Sequence, residues 1–246
     1  MTAPRDLLSI TSHRPWPLPN RPWSIHMKWF DLLFQHWPIS ESVLRPLVPE
    51  SLEIETFNET AWIGVIPFCM TARARGVPRL FTSRFPEINV RTYVRYKNRP
   101  GVWFFSLDAA HHTAVWGARR FFHLPYHFAR MSTTSPRSHV LYYSRRKADP
   151  EIRFDARYRP RGEPYTAREG TLDHWLTERY CLFSIDHTGG VHCGEIHHPP
   201  WLLQEAESEI RTNTMTKPLG FSLQESAPVM HFARRQDVVA WTLNRD

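Results

Sequence analysis

The stretch Phe85-Pro86-Glu87-Ile88-Asn89-Val90-Arg91-Thr92-Tyr93-Val94-Arg95-Tyr96 decides the fold class, because polar and apolar residues alternate along it. Alternation with a period of two, built from Val, Ile, Thr and Tyr, predicts a β-strand. One face of this strand would carry Glu87, Asn89, Arg91 and Tyr93. The opposite face would carry Ile88, Val90 and Val94. A face with such polar groups is either exposed to solvent or lines a binding site, so these side chains are the first functional candidates.

Strands predominate in the rest of the chain as well. The turn-forming residues 97–101 separate this strand from the aromatic segment 102–107, which together predict a hairpin. Further strands are predicted within residues 53–68, 126–131, 139–146, 152–159 and 191–198. Three helices are predicted, one capped by Ser40, one starting after Asp108 and one capped by Thr171. The fold class is therefore a β-rich α+β domain with a few short helices.

The composition is typical of one globular unit. Aromatic residues make up 13% of the 246 residues and no run of about 18 apolar residues occurs, so we expect neither extensive disorder nor a membrane association. The first residues lack the apolar segment of a signal peptide, which favours a cytoplasmic location. Cys69, Cys181 and Cys193 have no Cys-x-x-Cys spacing, and we expect buried thiols rather than a disulfide framework.

The chain is basic, with a net charge of +7. Its arginines are scattered and accompany no recognised nucleic-acid-binding motif, so most are assigned to solvated faces and nucleic acid is not expected as a partner. No linker divides the chain. We therefore predict an extended N-terminal arm over residues 1–22, one domain over 23–220, and a C-terminal tail over 221–246 that packs on the domain.

Eight short motifs follow one another along the chain. They are Phe34-x-His36-Trp37, Leu47-Val48-Pro49, Ala61-Trp62-Ile63-Gly64-Val65-Ile66-Pro67-Phe68, Glu87-x-Asn89-Val90-Arg91-Thr92-Tyr93-Val94, Gly101-Val102-Trp103-Phe104-Phe105-Ser106-Leu107-Asp108-Ala109, Leu124-Pro125-Tyr126, Glu178-Arg179-Tyr180 and His198-Pro199-Pro200-Trp201. In this order they resemble the DUF2071 (YqjF-like) family, over residues 23 to about 220. The resemblance implies a single-domain antiparallel β-barrel similar to the acetoacetate decarboxylase-like fold, with a pocket inside one end of the barrel.

The decarboxylase chemistry does not follow from this resemblance. Acetoacetate decarboxylases use a Schiff-base lysine whose pKa is lowered by an adjacent cation in an apolar pocket. The four lysines of this chain are Lys28, Lys97, Lys147 and Lys217, and no two of them are adjacent. Lys97 and Lys147 lie in predicted turns, where water keeps an amine protonated. From the resemblance we therefore expect the fold and the pocket in this chain, but not the catalytic lysine.

The predicted pocket would hold an acidic ligand. Arg91 can bind a carboxylate through two hydrogen bonds, and Glu87 can orient Arg91 or transfer a proton. Both can equally form a solvent-facing pair on an ordinary strand. The other candidate ligand-binding residues are Asn89, Tyr93, Arg119 and Tyr126, with aromatic walls from Trp62, Phe68, Trp103 and Phe105. Asp108 is a second catalytic candidate, although its position before a predicted helix favours a cap.

Metal binding is a weaker alternative. Cys193, Glu195 and His197 would share one face of a strand, and their side chains suit zinc, but their spacing matches no known zinc motif. We expect no cofactor. Three hypotheses remain open: a small-molecule binding protein, a lyase or hydrolase acting on a carboxylated substrate, and an interaction protein that uses its aromatic, basic surface and forms a homo-oligomer.

Overall fold

The computed structural model describes residues 4–78, 83–135, 139–223 and 227–245. The strands are β1 (Ile25–Ile39), β2 (Glu53–Ile54), β3 (Thr56–Phe57), β4 (Thr60–Ala74), β5 (Arg84–Tyr96), β6 (Arg99–Ala109), β7 (Tyr126–Thr134), β8 (Val140–Arg146), β9 (Arg153–Thr166), β10 (Cys181–Ile185), β11 (Val191–His197), β12 (Leu202–Asn213), β13 (Val229–Ala240) and β14 (Asn244–Arg245). The helices are α1 (Pro4–Leu7), α2 (Glu41–Leu44), α3 (His112–Phe122) and α4 (Leu172–Thr177), with 3₁₀ turns at Arg45–Leu47 and Lys217–Leu219. No helix in these ranges is long and apolar enough to cross a membrane.

The strands form one large sheet. Neighbouring strands follow the order β14-β11-β10-β6-β7-β8-β9-β12-β13-β1-β4-β5-β2, and β3 pairs with β4. Pairing is antiparallel except for the parallel pairs β6–β7 and β6–β10. Two additional pairings, β5–β6 and β11–β13, join strands that are not neighbours in this order. The β-rich class with few helices, predicted from the sequence, is confirmed.

The strand predicted from alternation is β5, which has paired strands on both sides. It pairs antiparallel with β4 on one side and β6 on the other. The predicted hairpin to β6 is also confirmed: Lys97 and Asn98 have φ angles of 45° and 63°, and Tyr96 pairs with Arg99. Two residues with positive φ form the tight turn whose twist matches that of the flanking strands.

The two faces of β5 are buried against different cores. Ile88 and Val90 belong to the core cluster that contains Tyr142, Phe154 and Phe232. The opposite, polar face lies over a second cluster, whose buried side chains come from several strands: Leu32, Phe34, Ile66, Phe68, Met70, Phe85, Trp201 and Leu203. The alternation of β5 thus separates a closely packed core from the side on which the candidate site lies.

The predicted helices are only partly correct. Thr171 caps α4, since its hydroxyl accepts a hydrogen bond from the His174 backbone N–H. Ser40 precedes a helix but makes no side-chain cap. The prediction that Asp108 caps a helix was wrong, because β6 continues through Ala109 and α3 begins only at His112. The buried Asp108 instead forms an ion pair inside the sheet, which explains why a charged residue ends an apolar strand.

The sheet also includes residues of the segment 221–246, predicted as a C-terminal tail that packs on the domain. Residues 229–240 form β13, which pairs with β1, β11 and β12. The exposed Arg234 and Arg235 interrupt its apolar pattern, so the sequence did not indicate a central strand. In the N-terminal arm, Leu7 is buried against Val239 and Trp241, so the arm packs on the sheet.

The cysteines are all buried, as predicted, but not all of them are thiols. Cys181 and Cys193, on β10 and β11, are paired as a disulfide with their Cα atoms 6.4 Å apart. Only Cys69 is a free thiol, and its burial raises its pKa. The prediction of separate thiols was therefore wrong for one pair, since spacing within a sequence does not reveal which strands become neighbours.

Candidate functional site

A cavity of about 370 Å³ lies beside the polar face of β5. Side chains of β1, β4, β5, β6 and α3 line it, and most of them are apolar. Large aromatic groups supply much of the wall, among them Trp29, Phe34, Phe68, Phe104 and Trp201. A volume of this size with few polar groups is typical of sites that bind small molecules.

The register of the sheet places three polar side chains of β5 at this cavity. Glu87, Asn89 and Arg91 all line it, as the alternation predicts. On β4 their partners are Phe68, Ile66 and Gly64, in that order. Residues that pair across antiparallel strands share a face, so the apolar side chains of β4 surround the polar groups of β5.

Glu87 is a buried carboxyl group in this apolar environment. Only 4% of it is exposed. The Tyr126 hydroxyl donates a hydrogen bond of 2.9 Å to its Oε2. Among the ion pairs of the described residues, none includes Glu87. Burial raises the pKa of Glu87 to about 8, and the nearby Asp108 carboxylate adds to the effect. Glu87 is therefore predominantly protonated near neutral pH.

Arg91 is half-buried and has no carboxylate partner among the described residues. Its Nη2 donates to the Leu176 carbonyl oxygen at 3.3 Å, and its Nε is buried without a hydrogen-bond partner. The guanidinium carbon lies 5.7 Å from the centre of the Phe34 ring. An arginine held among apolar side chains with unused donors can accept an anionic ligand through charge-assisted hydrogen bonds.

Arg179 is a second arginine at the cavity, which the sequence reasoning did not select. It follows α4 and is 7% exposed. Its Nη1 donates to Glu55, which also pairs with Arg95. Its Nη2 is buried and has no hydrogen-bond partner. One carboxylate thus serves two arginines, so the surroundings of Arg91 carry an excess of positive charge.

This positive charge affects the buried His36. Burial lowers its pKa well below the ordinary value, and the charges of Arg91 and Arg179 lower it further. His36 Nε2 lies 2.7 Å from the Tyr93 hydroxyl, which in turn donates to the Leu176 carbonyl oxygen at 2.8 Å. These contacts fix Tyr93 as a structural support beside Arg91.

Other polar atoms at the cavity also lack partners. Asn89 Oδ1 and the indole nitrogens of Trp29 and Trp201 are buried without a hydrogen bond among the described residues. His198 lines the cavity too, stacked on Tyr180 with ring centres 4.7 Å apart, and burial lowers its pKa. The site therefore has several unused hydrogen-bonding groups in an otherwise apolar wall.

The structure brings together only some of the predicted ligand-binding residues. Phe68 and Tyr126 line the cavity with the three β5 side chains. Trp62 and Tyr93 lie one step further along their strands, in a separate cluster with Val102 and Leu176. The face is correct for these two, but the cavity ends before it reaches them.

Trp103 and Phe105 do not line the cavity. Arg91 pairs with Phe104 and Thr92 with Trp103, so Phe104 shares the face of Arg91 and Trp103 lies on the opposite face. A register shift between Val90 and Arg91 leaves Phe105 packed against two other hydrophobic clusters instead of the cavity. An uninterrupted aromatic run contains no alternation from which its faces can be read.

Arg119 and Asp108 also lie away from the cavity. Arg119 is exposed on α3, and its Nε donates to the Tyr126 carbonyl oxygen at 2.5 Å. Asp108 accepts two hydrogen bonds from Arg146, of 2.7 and 3.0 Å, and both residues are buried. Asp108 therefore serves as one half of a buried, bidentate ion pair.

The zinc alternative is not supported by the geometry. Cys193 is in the disulfide, and Glu195 accepts hydrogen bonds from Arg14, Trp16 and Arg99. The ring of His197 contacts the Leu7 carbonyl oxygen at 2.9 Å. In the described ranges, no group of three His, Cys, Asp or Glu residues is arranged to hold a metal ion.

Comparison with solved structures places the fold among acetoacetate decarboxylase-like proteins. The enduracididine biosynthesis enzyme MppR, complexed with pyruvate, matches with a TM-score of 0.65 at 9% identity, over 94% of this chain and 93% of MppR. Acetoacetate decarboxylase from Legionella pneumophila matches with a TM-score of 0.61 at 13% identity, over 98% of this chain and 94% of that protein. At such low identities, the similarity concerns the fold alone.

Sequence comparison is more specific. The "Uncharacterized protein YqjF" of Bacillus subtilis is 49% identical over 230 residues, which cover 93% of this chain and 95% of that protein. The family model DUF2071, described as "Uncharacterized conserved protein", matches residues 26–237. The match includes most of β13, in agreement with its place in the sheet. The chain belongs to the DUF2071 family.

Proposed function

We propose that the protein binds a small carboxylate-containing or amphiphilic metabolite, and that the cavity beside β5 is the interior of a β-barrel. The additional β5–β6 and β11–β13 pairings support closure of the sheet, because they join strands distant in the strand order. The apolar wall suits the hydrocarbon part of such a ligand. An open cavity favours ligand binding over the third hypothesis, an interaction protein with a dry interior.

The observation that carries this proposal is the environment of Arg91. Its charge is partly desolvated and has no carboxylate partner among the described residues. Burying an unpaired charge is unfavourable, and a carboxylate ligand would supply the missing partner. Glu55 pairs with Arg179 and Arg95 but not with Arg91, so the ligand would neutralise the positive charge that Glu55 leaves unbalanced.

Isothermal titration calorimetry with octanoate tests this proposal, with octanamide as the uncharged control ligand. We expect octanoate to bind and octanamide to bind more weakly. Arg91→Ala should weaken octanoate binding about 10-fold to 100-fold, because hydrogen bonds to charged groups contribute roughly 1.5–3 kcal/mol. Arg130→Ala, which removes an exposed arginine of β7, is the matched control and should leave the affinity unchanged. Equal affinity for octanoate in a folded Arg91→Ala protein would contradict the proposal.

A second candidate function is a lyase or hydrolase that acts on a carboxylated substrate. It is favoured by Glu87, whose pKa of about 8 lies close to neutral pH, as is suitable for a general acid or base. No Schiff-base lysine takes part, because all four lysines lie in the described residues and none lines the cavity. Turnover of a bound acid, followed by NMR and lost in Glu87→Gln with binding retained, would distinguish this enzyme from a binding protein. Binding without any turnover would favour the first function.

A further inference from the structure

Glu87 and Arg91 mark the two ends of the polar face that β5 presents to the cavity. Glu87 and Arg91 are four residues apart on the same face, so their Cα atoms are about 13 Å apart along the strand. Between them lies Asn89, whose Oδ1 has no hydrogen-bond partner among the described residues and whose neighbours across the sheet are the apolar Ile66 and Leu107. A molecule bound to Arg91 by its carboxylate therefore reaches Glu87 only if it is extended and long enough to span this distance.

The contacts of Glu87 leave one of its oxygens for a ligand. Tyr126 donates to Oε2. The Tyr142 hydroxyl donates to the Glu87 backbone oxygen at 2.6 Å and so does not reach the carboxyl group. Asp108, on the adjacent β6, is held by Arg146 in its own ion pair. A neutral carboxyl group has one O–H donor, and in this arrangement the donor is available to a ligand in the cavity.

We propose that the ligand has two polar ends, a carboxylate that binds Arg91 and a distal oxygen that accepts a hydrogen bond from Glu87. This inference rests on the proposed function, because it takes the Arg91 end as given. It adds a requirement on the chemical class: a medium-sized acid with a carbonyl or hydroxyl oxygen far from its carboxylate. Acids as small as acetate cannot meet both groups.

The test compares three acids of equal carbon number by calorimetry. They are octanoate, the keto acid in which the carbon next to the terminal methyl group is a ketone, and the isomer whose ketone adjoins the carboxylate. The distal ketone should bind about fivefold more tightly than octanoate, which corresponds to one net hydrogen bond of about 1 kcal/mol. The proximal ketone should give no such gain, since it lies at the Arg91 end.

Two variants of Glu87 make the test specific. Glu87→Gln keeps an N–H donor and should retain the preference for the distal ketone, whereas Glu87→Leu has no donor and should lose it. The preference of the unmodified protein should also disappear as the pH rises through the Glu87 pKa of about 8, because the carboxylate has no proton to donate. In Glu87→Gln the preference should not depend on pH.

The outcomes separate this inference from the proposed function. If octanoate binds in an Arg91-dependent manner but the distal ketone binds no more tightly, the two-ended ligand is wrong and the proposed function stands. If neither acid binds, the proposed function fails as well. A preference for the distal ketone that survives in Glu87→Leu would also overturn the role of Glu87.

Discussion

The raised pKa of Glu87 predicts that this carboxyl group makes folding stability depend on pH. The ordinary pKa is 4.5 and the pKa in the folded protein is about 8. Below pH 4.5 the group is protonated in both states. Between these values the unfolded chain releases the proton and the folded protein keeps it, so the free energy of unfolding falls as the pH rises. Above pH 8 the group is ionised in both states and the difference no longer grows.

The magnitude follows from the size of the shift. Each pH unit in this window contributes about 1.36 kcal/mol, so between about pH 5 and pH 8 Glu87 lowers the free energy of unfolding by about 4 kcal/mol. Glu87→Gln removes this contribution, because an amide does not titrate. The free energy of unfolding of Glu87→Gln, relative to that of the unmodified protein, should therefore rise by a similar amount over that range. For a chain of this size, this rise corresponds to about 10 °C in the unfolding temperature.

Thermal unfolding of both proteins in matched buffers over this range measures the effect. The difference in unfolding temperature, rather than either temperature alone, reports on Glu87, since all other titrating groups are common to both proteins. Glu163→Gln, at an exposed carboxylate of β9, is the control and should give a nearly constant difference. An equally constant difference for Glu87→Gln would show that Glu87 titrates as an ordinary exposed carboxylate and that its pKa is not raised.

Two further predictions concern stability alone. Asp108→Asn should lower the free energy of unfolding by about 3–5 kcal/mol, because it leaves the buried Arg146 without its carboxylate, and urea denaturation measures the loss. Replacing both partners with apolar residues should restore much of it, and no such recovery would contradict the assignment of the loss to an unpaired charge. Gly101→Ala should also destabilise, by about 1–3 kcal/mol, because a Cβ there would lie 2.7 Å from the Cys181 carbonyl oxygen. Gly117→Ala, with no atom within 4 Å of the new Cβ, should instead be neutral or stabilising by about 1 kcal/mol, and a loss similar to that of Gly101→Ala would show that crowding is not the cause.

The polar part of the site was predictable because β5 alternates and its turn is local. A strand with a period of two fixes which residues share a face, so Glu87, Asn89 and Arg91 could be grouped without a structure. Whether that face lined a cavity could not be read from the strand itself. Whether the face is exposed to solvent or lines a cavity depends on β4 and β6, whose side chains on that face are apolar and exclude water.

The remaining site residues depend on contacts that the sequence does not encode locally. The register between β5 and β6 places Phe104 at the cavity, whereas the sequence predicted its neighbours Trp103 and Phe105 there. Arg179 reaches the cavity only because α4 ends beside the sheet and Glu55 holds the guanidinium. Trp201 and Arg179 each lie in one of the motifs that resemble the DUF2071 family. This resemblance was the one feature of the sequence that could have pointed to either residue.

The pairing of β1 with β13 has a consequence for how the chain folds. It joins residues about 200 positions apart in the sequence, from Ile25 with Ala240 to His36 with Val229. Contacts of such long range must overcome a large loss of chain entropy before they stabilise anything, which slows folding. Until β13 is in place, β1 and β12 expose unpaired backbone edges that can pair with other chains. Premature termination before residue 229 would therefore leave the sheet incomplete and yield an aggregation-prone chain.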